Sequence, residues 1–123
     1  MKSELSNGEW ILMKELWASA PLTITQLVAA VKDITGWDKH TVIPMLYRME
    51  EKGVARHESN GRAKIFFPVL AREDAVKQET RHFLEKVFDG QVGVMLNSMV
   101  DNHRLTPKEL EELTAILKKQ KGE

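Results

Sequence analysis

Apolar residues recur every three or four positions in three successive stretches near the start of the chain. Trp10, Ile11, Met13, Leu16 and Trp17 form the first set, Leu27, Val28, Val31 and Ile34 the second, and Val42, Met45, Leu46 and Met49 the third. That period puts one apolar face on each of three helices. Polar residues mark where they begin. Ser6-Asn7-Gly8-Glu9 and Thr23-Ile24-Thr25-Gln26 both have capping-box spacing: the hydroxyl accepts the amide three residues on, and the Glu or Gln reaches back. The first helix is expected to stop before Pro21, and Gly36 suits the end of the second. Asp38 is the expected cap of the third, and Gly53 its end, with Val54 placed for the apolar contact of a Schellman motif.

The pattern then changes. Two strand-like runs, 54–59 and 62–68, flank Asn60-Gly61, a hairpin signal because both residues tolerate positive φ. Pro68 cannot donate to a ladder, so the second strand ends there. Helical spacing returns over 73–88 with Val76, Phe83, Leu84, Val87 and Phe88, and Asp89-Gly90 breaks it. A short apolar helix follows with Val92, Val94, Met95, Leu96, Met99 and Val100. Thr106-Pro107-Lys108-Glu109 opens the last helix, whose stripe is Leu110, Leu113, Ile116 and Leu117.

Three helices, a hairpin and three more helices imply a mainly α fold with a small β-hairpin. The expected layout is a winged helix-turn-helix domain over 1–70 and a helical dimerisation domain over 71–123. The first part can build its own α+β core. The last ~50 residues are too few to bury one alone, and a second copy of the chain is the simplest partner. The expected interface is Phe83, Val87, Phe88, Met95, Leu96, Met99, Leu110, Leu113, Ile116 and Leu117.

Charge changes this picture only locally. The 18 basic and 18 acidic residues balance, but residues 36–72 carry a net +3. Absence of cysteine removes disulfides, thiolate metal sites and cysteine nucleophiles, and fits a cytoplasmic location. The N-terminus has no apolar h-region, so no signal peptide is expected. No stretch approaches the ~20 apolar residues of a membrane helix, so no membrane insertion is expected. The four histidines lack ligand spacing, and no phosphate loop, dinucleotide fingerprint or nucleophile elbow is present. Neither enzyme activity, metal nor cofactor is expected.

In a winged helix the third helix enters the major groove and the wing lies along the DNA backbone or minor groove. If Val42, Leu46 and Met49 face inward, His40, Ile43, Pro44, Tyr47 and Arg48 lie on or near the outer face. His40 and Thr41 can hydrogen-bond base edges or phosphates, Tyr47 can donate to a phosphate, and Ile43 and Pro44 can touch thymine methyl groups. Lys39 and Arg48 are better placed for phosphates, as are Asn60, Arg62 and Lys64 on the wing. Each also has a plainer reading: a solvated surface residue or, for Arg62 and Lys64, protection of an edge strand. Trp10, Trp17 and Trp37 read as core or helix junctions. Pro44 conflicts with a helix capped at Asp38, because it lacks an amide and crowds the His40 carbonyl. Either Thr41 caps a later start or the helix is kinked.

The chain resembles the penicillinase-repressor family almost end to end. The resemblance is carried by Glu9-Trp10, Met13, Leu16-Trp17, Thr41-Val42 and the run from Leu46 to Gly53. It continues through Ile65-Phe66-Phe67-Pro68, Phe83, Val87-Phe88-Asp89-Gly90, Leu96-Asn97, Leu105-Thr106 and Glu109-Leu110-Glu111-Glu112-Leu113. It implies a dimeric bacterial repressor bound to a dyad operator of double-stranded DNA, often controlling β-lactam resistance genes. It also implies relief by a membrane-bound sensor protease. The family's best-known cut falls between an Asn and a Phe. Here the matching pair is Asn97-Ser98, which keeps the Asn and departs at the Phe. Asp38-Lys39-His40-Thr41 replaces the family's frequent Ser-Pro-Lys-Thr, so the operator sequence does not carry over. The cysteine cluster of the copper-responsive branch is absent. Two rival readings keep the fold: a regulator switched by a small-molecule ligand, and a protein-interaction module without DNA binding.

Overall fold

The computed structural model describes residues 4–103 and 105–122, apart from the side chains of Asn60 and His103. The element order is α1 (Asn7–Ser19), β1 (Leu22–Thr23), α2 (Ile24–Thr35), α3 (Lys39–Glu51), β2 (Ala55–Asn60), β3 (Ala63–Pro68), α4 (Arg72–Phe88), α5 (Val92–His103) and α6 (Pro107–Gln120). Two compact units divide at Thr80/Arg81, inside α4.

The helix starts follow the polar punctuation. Ser6, Thr23 and Thr106 each accept the amide three residues on while Glu9, Gln26 and Glu109 reach back, so three capping boxes are complete. Asp38 caps α3 by accepting the His40 and Thr41 amides at 3.0 and 3.3 Å. The helix therefore begins at Lys39 and carries Pro44 in its interior, not in a first turn capped by Thr41. Pro44 has no amide for the His40 carbonyl, and the bonded Asp38 cap keeps the first turn in place despite that loss. The other end of α3 closes as a Schellman motif: Val54 donates to the Met49 carbonyl at 3.0 Å and Gly53 to that of Glu50 at 3.0 Å. Met49 and Val54 are both buried, which supplies the accompanying apolar contact.

In the first unit, the inward faces meet in one core. Leu12, Met13 and Leu16 of α1, Leu27 and Val31 of α2, and Val42, Leu46 and Met49 of α3 are buried around Phe66 of β3. Ile34, expected on the apolar stripe of α2, is instead 76% exposed, because it lies a turn past Val31 where the helix leaves the core. Trp10 and Trp17 meet edge to face at 5.6 Å. The Trp17 indole N–H donates to the Leu70 carbonyl at 2.9 Å, and Ala75 of α4 is buried with the same core. At Gly8 a Cβ would lie 2.5 Å from the Met45 methyl and 3.3 Å from the Trp37 ring, so the glycine lets α1 approach α3 closely.

The sheet has a strand that the hydrophobic pattern did not show. β1, two residues long, pairs antiparallel with β3 through Leu22–Phe66 and Thr23–Ile65, giving the order β1-β3-β2. The hairpin is also displaced by one residue from expectation. Asn60 pairs with Ala63, so the loop is Gly61-Arg62 and not Asn60-Gly61. Gly61 has φ +67°, and Asp89 is the one non-glycine with positive φ among the described residues, so Arg62 does not share that conformation. Glycine at the first central position with a negative φ at the second fits a type II′ turn, where Asn-Gly suggested type I′.

The second unit holds the last part of α4 with α5 and α6. Asp89, with φ 52°, ends α4, and Gly90 donates back to the Leu84 carbonyl at 3.1 Å. Phe83 and Phe88 pack edge to face at 5.8 Å. No described residue of this unit is buried.

Candidate nucleic-acid interface

The burial of Val42, Met45, Leu46 and Met49 fixes which face of α3 turns outward. Lys39, His40, Thr41, Pro44, Tyr47 and Arg48 are exposed, and Ile43 is half-buried. The expected face is thus a continuous outer surface, with Lys39, His40 and Thr41 at its N-terminal end. The Asp38 carboxylate is occupied by the His40 and Thr41 amides, which holds that end in helical geometry, and both residues are exposed there.

Two polar side-chain contacts among the described residues tie the wing to this helix. The Lys64 ammonium donates to the Tyr47 hydroxyl oxygen over a long 3.4 Å and lies 5.3 Å from its ring centroid, a cation–π approach. Farther along α3, Glu50 Oε2 bonds to His57 Nδ1 on β2, and the His57 ring packs 5.3 Å from the buried Phe66. Arg62 is exposed in the turn. The Asn60 side chain lies outside the described residues. The structure therefore joins Tyr47 and Lys64, and gives the Lys39, His40 and Thr41 side chains no hydrogen bond or ion pair to the wing among the described residues. Glu50 and His57 were not anticipated. One lies on a helix and the other on a strand, and no helical or strand period relates them.

A further tie fixes α3 on α1. Glu9 is 2% exposed, and its carboxylate accepts from the Ser6 amide at 3.0 Å and the Lys52 ammonium at 2.6 Å. Burial alone would raise its pKa; the hydrogen bonds from Lys52 and Ser6 and the Lys52 charge outweigh that and hold it below the ordinary carboxylate value. Lys52 also donates to the Glu4 carbonyl at 3.0 Å. On the outer face of the wing, Arg56 stacks 4.2 Å over Phe67 and pairs with Glu58 at 2.7 Å.

The expected interface residues of the second unit remain uncovered. Phe83, Val87, Met99, Leu110, Ile116 and Leu117 are 40–58% exposed, and Phe88, Met95, Leu96 and Leu113 are half-buried. Asn97-Ser98 lies inside α5, where the Asn102 side-chain amide donates to the Ser98 carbonyl at 2.8 Å. No helix among the described residues is long and apolar enough to cross a membrane.

Three helices, an outward third helix and a hairpin docked beside it define a winged-helix DNA-binding protein. The solution structure of the DNA-binding domain of the repressor BlaI has this fold, with a TM-score of 0.54 and 23% identity over 60% of this chain and 90% of that one. The penicillinase repressor family model matches residues 5–119, and the chain belongs to that family. It is 25% identical to the penicillinase repressor of Bacillus licheniformis over 97% of this chain and 93% of the relative. It is 28% identical to the penicillinase repressor of Staphylococcus aureus over 93% and 90%. The methicillin resistance regulatory protein MecI of Staphylococcus aureus is 21% identical over 95% of both chains. The family is one of DNA-binding repressors and not of enzymes, and the chain is a DNA-binding repressor.

Proposed function

We propose that two copies of the chain bind a dyad operator in the cytoplasm, each α3 reading one half-site in the major groove and each wing following the adjoining backbone. His40 and Thr41 read base edges, Ile43 and Pro44 touch thymine methyls, and Lys39, Tyr47, Arg48, Asn60, Arg62 and Lys64 hold phosphates. Residues 1–70 form the DNA-binding domain and 71–123 the dimerisation domain. The observation that carries the dimer is the second unit: its helices have apolar stripes, yet no described residue there is buried. Three short helices in water do not hold such stripes without a partner. A dimer sets the half-sites one turn or a multiple apart, ~10 base pairs per turn.

The names of the relatives, a penicillinase repressor and a methicillin resistance regulatory protein, support extending the proposal to β-lactam resistance genes as targets. The family resemblance adds relief by a sensor protease, with Asn97-Ser98 as the matching bond although it lacks the family's Phe. Because that bond lies within α5, a protease must first unwind the helix. Gel-shift titration on the upstream promoter DNA at two salt concentrations, with a scrambled competitor, tests the operator. Sedimentation equilibrium at micromolar concentration tests the dimer. A monomer, or a shift abolished equally by the scrambled DNA, removes the corresponding part.

A further inference from the structure

We propose that Tyr47 and Lys64 form one composite phosphate site, so that a single backbone phosphate is gripped jointly by the recognition helix and the wing. This rests on the DNA-binding reading above and goes further, because it makes the helix and wing contacts interdependent.

The hairpin register supplies the placement. Lys64 and Phe66 share one face of β3, and Phe66 points into the core, so Lys64 extends that core-side face outward beside α3. Ser59 stands opposite Lys64 in the ladder, so its hydroxyl shares the same face. Glu58 and Arg56 belong to the opposite face, where they pair with each other. Glu50 is taken by His57. No carboxylate among the described residues lies within ion-pair distance of Lys64. Its positive charge is therefore steered onto the oxygen of Tyr47 without being neutralised.

The Tyr47 oxygen accepts from Lys64, which leaves its own O–H to donate outward, and the ammonium keeps further N–H groups for the same direction. Two donors, one of them charged, then converge from different elements at 3.4 Å separation with Tyr47 46% exposed. A phosphate, with several acceptor oxygens and full charge, suits that pair better than a neutral base edge.

Wild type, Tyr47→Phe, Lys64→Met and the double variant are titrated on an operator fragment whose phosphates are replaced one at a time by neutral methylphosphonates. Wild type should lose roughly tenfold affinity at one phosphate of each half-site. Both single variants should become insensitive at that same phosphate, and the double variant should bind about as weakly as the weaker single one. Sensitivity lost at two different phosphates, or losses that multiply in the double variant, would overturn the shared site while leaving DNA binding intact. No sequence-specific binding by wild type would instead overturn the reading on which it rests. Thermal melts within a few degrees of wild type establish that each variant is folded.

Discussion

Replacing Lys52 by alanine removes the cation that keeps the buried Glu9 carboxylate ionised. Glu9 would retain the Ser6 amide and lose its 2.6 Å charged partner. Stripping one partner from a buried ion pair costs about 3–5 kcal/mol. Lys52 is itself 32% exposed, so solvent screening argues for the low end, about 3 kcal/mol at pH 7. That corresponds to a fall in Tm of roughly 12–24 °C for a unit of this size. The pH dependence gives a second check. In wild type the Glu9 pKa is depressed, so its stabilisation is present above the unfolded value of ~4.3 and is lost as pH falls through the folded value. In the variant burial is no longer opposed by Lys52, so the Glu9 pKa rises relative to wild type and protonating Glu9 relieves the penalty as pH falls from 7 toward 4. The difference between the two proteins should therefore shrink by about 1 kcal/mol or more across that range. Urea unfolding followed by circular dichroism at several pH values measures it. In a Glu9→Gln background the same lysine substitution should cost less than about 1 kcal/mol. A penalty below about 0.5 kcal/mol at pH 7, or one unchanged by pH, would refute the account.

Three further outcomes are expected. Arg62→Ala should weaken binding to all DNA sequences alike and reduce the slope of log K against log salt by about 0.9, one phosphate contact; an unchanged slope would place Arg62 off the backbone. His40→Ala should change which base is preferred in a selection from random sites, and an unaltered consensus would remove it from base readout. Gly61→Ala should cost about 1–2 kcal/mol because φ there is +67°, whereas Asn60→Ala in the paired strand should stay within about 0.5 kcal/mol; equal costs in thermal melts would contradict the observed register.

Much of the fold was legible because it rests on local chemistry. Ser6, Thr23, Asp38 and Thr106 announce helix starts through hydrogen bonds that close within three residues. The stripe Val42, Met45, Leu46 and Met49 predicts the outer face of α3 from period alone, and its burial agrees. The hairpin was legible in position but not in register. Asn60-Gly61 and Gly61-Arg62 are both competent two-residue turns, and the choice between them follows from seating Phe66 in the core opposite His57. β1 was invisible because two residues have no period, and because Thr23 serves as both strand end and helix cap.

The candidate interface divides in the same way. Sequence spacing by itself determined the outward residues of the third helix, the presence of a wing and apolar stripes in the last three helices. Those are properties of a single element, set by bonds and side-chain directions within a few residues. Only the tertiary structure decided that Lys64 meets Tyr47, that Glu50 meets His57 and that Lys52 reaches Glu9 across 43 residues of chain. Such contacts join elements whose relative placement is fixed by the packing of the whole core. Packing is a sum over many nonlocal contacts, and no local pattern encodes it.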